Sequence, residues 1–307
     1  MDQGRALTGI LIGSALLVAA DAPTQLPIRD VRWLAAGVPV GRVNQLPPEC
    51  YRPPTDSKER RSAEIGRVAF RAPLLLGGQA ARVGLSCSSC HRNGRGNPDF
   101  HFPGVSGPPG TADVTSSILS SHRGDGMFNP KPIPDLAGDP ATRIASRDPA
   151  KPDLEKFIHG LITQEFDGPE PPRTVLDGVS AYVRAIAPAN CVGGEIRVSA
   201  ASLIAEVDSA LGLARDEMDR PTARLLIGAA RSNLGRMDER FQVPGLEGER
   251  KLLVESDSEL RTLQDALGSS AERALWSKWD KRWPARRERL QADAPRSLFS
   301  NTVLTKL

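Results

Sequence analysis

Cysteine is scarce in this chain, with four among 307 residues, and two of the four stand in the run Cys87-Ser88-Ser89-Cys90-His91. The spacing is C-x-x-C-H, the attachment signature of a c-type haem. Two thiols three residues apart can each add to a vinyl group on one side of a porphyrin, and the next residue, His91, is placed to ligate iron from the proximal face. A zinc half-site and a dithiol redox pair use the same two thiols. The dithiol reading, a thiol–disulfide oxidoreductase, wants the pair near a helix start behind a buried strand, and Arg82-Val83-Gly84-Leu85-Ser86 is a poor strand. The reading adopted is one covalent haem c bound by Cys87, Cys90 and His91.

Iron in such a site takes a second axial ligand or leaves that position open. A thioether there raises the potential and suits electron transfer, whereas a displaceable or open position permits peroxide chemistry. The downstream candidates are Met127, His101, His122 and His159. Met127 is the preferred ligand, as the only methionine between the motif and the helical region after residue 195. With His122 it flanks the glycine-rich turn Arg123-Gly124-Asp125-Gly126, where a loop can approach a cofactor closely. His101 and His122 are the alternatives. His159 sits off the apolar stripe of its helix and is expected to face solvent.

The remaining cysteines, Cys50 and Cys191, bracket the haem region. A disulfide between them would close a loop of about 140 residues, worth about 5 kcal/mol by loop-closure entropy.

Several elements must position these residues. Residues 23–57 are proline-rich and read as an extended wrapping segment. A helix is expected over Ser57–Phe70, stopped by Pro73. From Arg92 to Pro149 the chain reads as loop, unusually long for a compact domain unless a flat apolar cofactor supplies something to pack on. Helices follow over Asp153–Glu165 and from Pro171-Pro172 to Pro188, with apolar residues at 3–4 spacing. After residue 195 four periodic helices with short connections predict an antiparallel bundle. The last carries Trp276, Trp279 and Trp283, with Pro284 ending it or opening a final turn. These indoles are assigned to the bundle core rather than to a membrane surface. The fold class expected is all-α: a loop-rich haem domain over residues 23–195, then a helical bundle over 196–307.

Arg5 precedes an apolar run from Ala6 to Ala20, and small residues follow at Ala20-Asp21-Ala22. This reads as a signal peptide over residues 1–22, with an uncleaved membrane anchor as the alternative. Export suits both the haem motif and a disulfide, so the expected location is the periplasm. A formal net charge of +3, with both signs interspersed, argues against a nucleic-acid partner.

The haem region resembles a class I cytochrome c. Gly66-Arg67-Val68-Ala69-Phe70 fits the Gly-x-x-x-aromatic helix that precedes the motif in that fold, and Val179-Ser180-Ala181-Tyr182 fits its C-terminal Leu-x-x-Tyr helix, with valine for leucine. The resemblance implies that the helices cross at Gly66 with Phe70 and Tyr182 in contact. It also implies that a proline carbonyl about ten residues past the motif, at Pro98 or Pro103, holds the proximal imidazole.

Residues 57–190 resemble more closely the bacterial di-haem cytochrome c peroxidase and MauG-like family, through Gly66-Arg67, Pro73-Leu74 and Leu85-Ser86-Cys87-Ser88-Ser89-Cys90-His91. In that family a histidine after the first motif is a displaceable ligand, and His101 is its nearest match. The family carries two haem motifs, and this chain has one. The expected function is therefore a mono-haem electron carrier served by a cytochrome, dehydrogenase or reductase. A haem-dependent peroxidase or oxidase is the alternative.

Overall fold

The computed structural model describes residues 26–122 and 124–306, and the expected signal segment lies outside them. The fold is mostly helical. The helices are α1 (Ser57–Phe70), α2 (Pro73–Leu76), α3 (Gly78–Val83), α4 (Cys87–Cys90), α5 (Asp153–Gly160), α6 (Arg173–Ala185), α7 (Ala200–Arg215), α8 (Arg220–Arg240), α9 (Glu247–Asp265), α10 (Glu272–Asp293) and α11 (Asn301–Leu304). The strands are two residues each: β1 (Gln45–Leu46), β2 (Thr111–Ala112), β3 (Lys131–Pro132) and β4 (Ile196–Arg197). Antiparallel pairings β1–β4 and β2–β3 act as clasps on loops rather than as sheet layers.

The first half is built on the crossing of α1 and α6. Asp56 caps α1 by accepting from the amides of Lys58 at 3.0 Å and Glu59 at 2.9 Å. At the crossing point a Cβ on Gly66 would stand 1.8 Å from the carbonyl oxygen of Gly178, so the two backbones touch where neither residue has a side chain. Phe70 and Tyr182 then meet edge to face at 5.2 Å. The wrapping segment is clamped onto this pair by Glu49. Its carboxylate accepts from Tyr182 Oη at 2.8 Å, from Arg67 at 2.9 and 2.7 Å, and from Arg71 at 2.8 Å. Burial alone would raise the Glu49 carboxyl, but the charges and hydrogen bonds of Arg71 and Arg67 outweigh it and hold the group at about 2. A disulfide joins Cys50 to Cys191, fastening the same segment to the end of the α6 region.

In the second half α7, α8, α9 and α10 pack in sequence order, and α10 closes against α7. Short connections make this an up-and-down bundle. Trp276, Trp279 and Trp283 are buried, Trp279 stacks on Trp283 at 4.9 Å, and the Trp283 indole donates to Asp208 at 2.6 Å. The stripe is thus core, not a surface for lipid. Pro284 neither ends α10 nor opens a turn: the helix runs through it to Asp293. Burial of Trp279 and Trp283 before it and of Arg286 and Leu290 after it keeps the helix going despite the lost backbone bond.

One apolar core runs unbroken from α1 and α6 into the bundle. The chain end returns to the first described residues, where Leu298 and Leu304 pack on Ile28 and Val43. No described helix is long and apolar enough to cross a membrane.

Candidate haem-attachment site

The motif sits on α4, a single turn fixed by its own serines. Ser86 and Ser89 form a capping box, in which the Ser86 amide donates to Ser89 Oγ at 3.1 Å. This turn places Cys87 and Cys90 on one side, because residues three apart on a helix are neighbours. Both thiols are free and half-buried. Burial pushes Cys87 up to about 12, and burial with the neighbouring Cys87 does the same to Cys90. Among the described residues no group of three or more His, Cys, Asp or Glu side chains is placed to hold a metal ion.

His91 ends the turn, its amide donating to the Cys87 carbonyl at 2.8 Å. The chain then reverses through Asn93 (φ 50°) and Gly94 (φ 72°). Gly94 is needed for space as well as for backbone freedom, since a Cβ there would stand 2.5 Å from Ile186 Cδ1. Asn93 is held by Arg71 at 3.2 Å and donates to the Pro47 carbonyl at 2.9 Å, while Asn97 donates to the Ser89 carbonyl at 2.8 Å. The His91 ring lies 6.4 Å from Phe70, so the α1–α6 crossing backs the imidazole.

His91 Nδ1 stands 3.0 Å from the carbonyl oxygen of Pro134, and donation there leaves Nε2 without a proton. Desolvation, against the opposing pull of that carbonyl and of Asp135, lowers the imidazole to about 4, so the ring is neutral and ready to ligate. The proline carbonyl expected at Pro98 or Pro103 is thus supplied by Pro134, from the far end of the loop region. Around Pro98 the backbone turns away: the Asn97 carbonyl accepts from Phe100, and Asp99 from Ala35. The alternating prolines Pro130, Pro132 and Pro134 mark an extended run that could have drawn attention to this segment.

The sixth-ligand candidates differ in their surroundings. Met127 is 63% exposed at a loop tip beside Phe128, which is 61% exposed. His122 Nδ1 pairs with Asp167 at 2.7 Å. His159 pairs with Glu170 at 2.8 Å, as a solvent-facing residue would. His101 is half-buried and donates its amide to the Trp33 carbonyl at 2.8 Å, and its ring has no hydrogen-bond partner among the described residues.

Two observations test whether a haem suits these surroundings. Ile118, Met127, Phe128, Ile144 and Phe157 are exposed on the loops and helix downstream of the motif, and exposed large apolar side chains also occur elsewhere, among them Val192, Met218 and Val254. Close by in sequence, Arg147 donates to the carbonyls of Val183, Ile186 and Leu136 at 2.9, 3.0 and 2.7 Å, and Arg143 Nε is buried with no partner among the described residues. Burial and the adjacent Arg143 lower Arg147 to about 10. With Arg184 and Asp148 these arginines line a cleft of about 500 Å³. Cations lacking carboxylate partners suit a cofactor that brings two propionates. Sequence reading missed Arg143 and Arg147, because nothing in a loop sequence separates a buried arginine from a solvated one.

Comparison of the chain with protein-family models, with curated proteins and with solved structures returned no match.

Proposed function

We propose that this chain is a periplasmic mono-haem c-type cytochrome that carries single electrons, with a class I cytochrome c-like haem domain. The observation that carries the reading is a C-x-x-C-H turn whose histidine is directed through Nδ1 onto a proline carbonyl. Cys87 and Cys90 would hold the haem covalently and His91 would ligate its iron, while Arg143 and Arg147 supply cations for the propionates. The group supplies a one-electron couple when bound. The protein orients the ring of His91, keeps it neutral, and encloses the cofactor in loops 92–152. The disulfide between Cys50 and Cys191 agrees with an exported protein. Its partner would be another cytochrome, a dehydrogenase or a reductase.

Peroxidase chemistry is the second reading, favoured by the unpartnered ring of His101 and by the likeness to the di-haem peroxidase and MauG-like family. Redox titration with absorbance detection separates the two. An electron carrier gives a reversible one-electron couple, a six-coordinate low-spin spectrum and no response to hydrogen peroxide. High-spin resting iron with peroxide turnover would replace this reading with the enzymatic one. Met127→Ala and His101→Ala then assign the ligand, since only loss of the true sixth ligand converts the spectrum to high spin.

A further inference from the structure

The carbonyl of Pro134 meets His91 because the loop that carries it is tied down on both sides. Upstream, the Ile133 amide donates to the Gly110 carbonyl at 2.9 Å. Downstream, Asp135 Oδ1 accepts from the Ala137 amide at 2.9 Å, folding the backbone into a turn. The same carboxylate is gripped by Arg95, whose Nε lies 2.9 and 2.8 Å from the two oxygens and whose Nη2 lies 2.7 Å from Oδ2. Arg95 itself follows His91 by four residues. The other end of its guanidinium rests on the disulfide, with Nη1 3.3 Å from Cys50 Sγ and 3.8 Å from Cys191 Sγ. A continuous chain of contacts therefore runs from the disulfide through Arg95, Asp135 and Pro134 to the proximal imidazole.

We infer that Arg95 and Asp135 are positioning residues for His91 and that the Cys50–Cys191 disulfide is their anchor, so that together they set the reduction potential of the iron His91 would ligate. The inference rests on the haem reading above. Its physical basis is that a hydrogen bond from Nδ1–H to a fixed carbonyl makes the imidazole a stronger donor and favours the ferric state. Stability is a poor explanation for the ion pair. Its side chains are 28% and 34% exposed, and such pairs contribute little to folding. A guanidinium fork that joins a carboxylate to a disulfide fixes geometry instead.

Asp135→Asn is the primary test. It keeps an oxygen for the Ala137 amide but breaks the fork, removes a negative charge beside His91 and leaves Arg95 uncompensated. The broken fork and the lost negative charge, which is what leaves Arg95 uncompensated, both favour the ferrous state. The midpoint potential of the holoprotein should rise by the equivalent of five- to tenfold in the equilibrium constant, where tenfold is about 59 mV for a one-electron couple.

Replacing Cys50 and Cys191 together by alanine should raise it by a smaller factor, about two- to threefold. The combined variant should rise no further than Asp135→Asn alone, because both act through one path. An unchanged potential in Asp135→Asn, or shifts that add in the combined variant, would overturn the inference. Should the cysteine variant fail to accumulate, Arg95→Lys takes its place in the same cycle with the same expectation. Covalent haem is counted in every sample. Wild-type protein without it defeats the haem reading itself, whereas a full complement with unmoved potentials defeats only the relay.

Discussion

The two halves of this molecule bury their surfaces by different means. The α1–α6 crossing brings backbone against backbone at Gly66 and Gly178 and surrounds that contact with a charged and aromatic cluster around Glu49. The bundle packs side chain against side chain, with leucines and stacked tryptophans; of its helix glycines Gly212 and Gly235 face open space, while Gly228 and Gly248 meet the side chains of Leu74 and Arg289 rather than backbone. The first kind of packing is rigid and intolerant, suited to holding one imidazole in place. The second is tolerant, and none of the candidate site residues lies in it. What the bundle contributes is a continuous core under α1 and α2.

Substitution should expose the difference. Gly66→Ala would drive a methyl group into the Gly178 carbonyl and is expected to cost about 3 kcal/mol in urea unfolding of the full chain. A loss below about 1 kcal/mol would mean that the crossing is looser than described.

Glu49→Gln should cost somewhat less, about 2 kcal/mol, since it leaves the mostly buried Arg71 and the half-exposed Arg67 without their acid. Its pH dependence has a definite sign. The folded carboxyl sits near 2 against an ordinary 4.5, so the stabilisation is complete above about pH 4.5 and is lost as pH falls toward 2. Stability curves of wild type and Glu49→Gln should converge across that window, and parallel curves would remove Glu49 as the cause.

The smallest effect belongs to the bundle and has the opposite sign. Gly235→Ala, on an exposed helix face with nothing within 4 Å, should stabilise by about 1 kcal/mol. A destabilisation there would erase the contrast between the halves.

Where local pattern decided the structure, the sequence was a good guide. The helix over Ser57–Phe70 is found with those ends, whereas the meeting of Phe70 with Tyr182 was expected from the cytochrome resemblance and not from local spacing. The helix from Asp153 is straightforward only to Gly160, after which Leu161–Glu165 widens into a π turn. Pro284 misled because its local penalty is outweighed by apolar burial on both sides. Pro134 was missed for a different reason. The carbonyl that serves His91 is selected by loop closure over some forty residues, through Arg95–Asp135 and β2–β3, and contacts of that range leave no mark on local spacing. The same holds for Arg143 and Arg147, whose lack of a carboxylate partner among the described residues is a fact of three dimensions.

The central claim is that Cys87 and Cys90 carry one covalent haem. It is tested most directly by denaturing the purified full-length protein, made in cells with c-type haem maturation, and recording the reduced-minus-oxidised spectrum of the extracted polypeptide in alkaline pyridine. The account predicts one haem per chain that stays with the polypeptide and is lost when Cys87 and Cys90 are both changed to alanine. A polypeptide without haem absorbance under those conditions would contradict it.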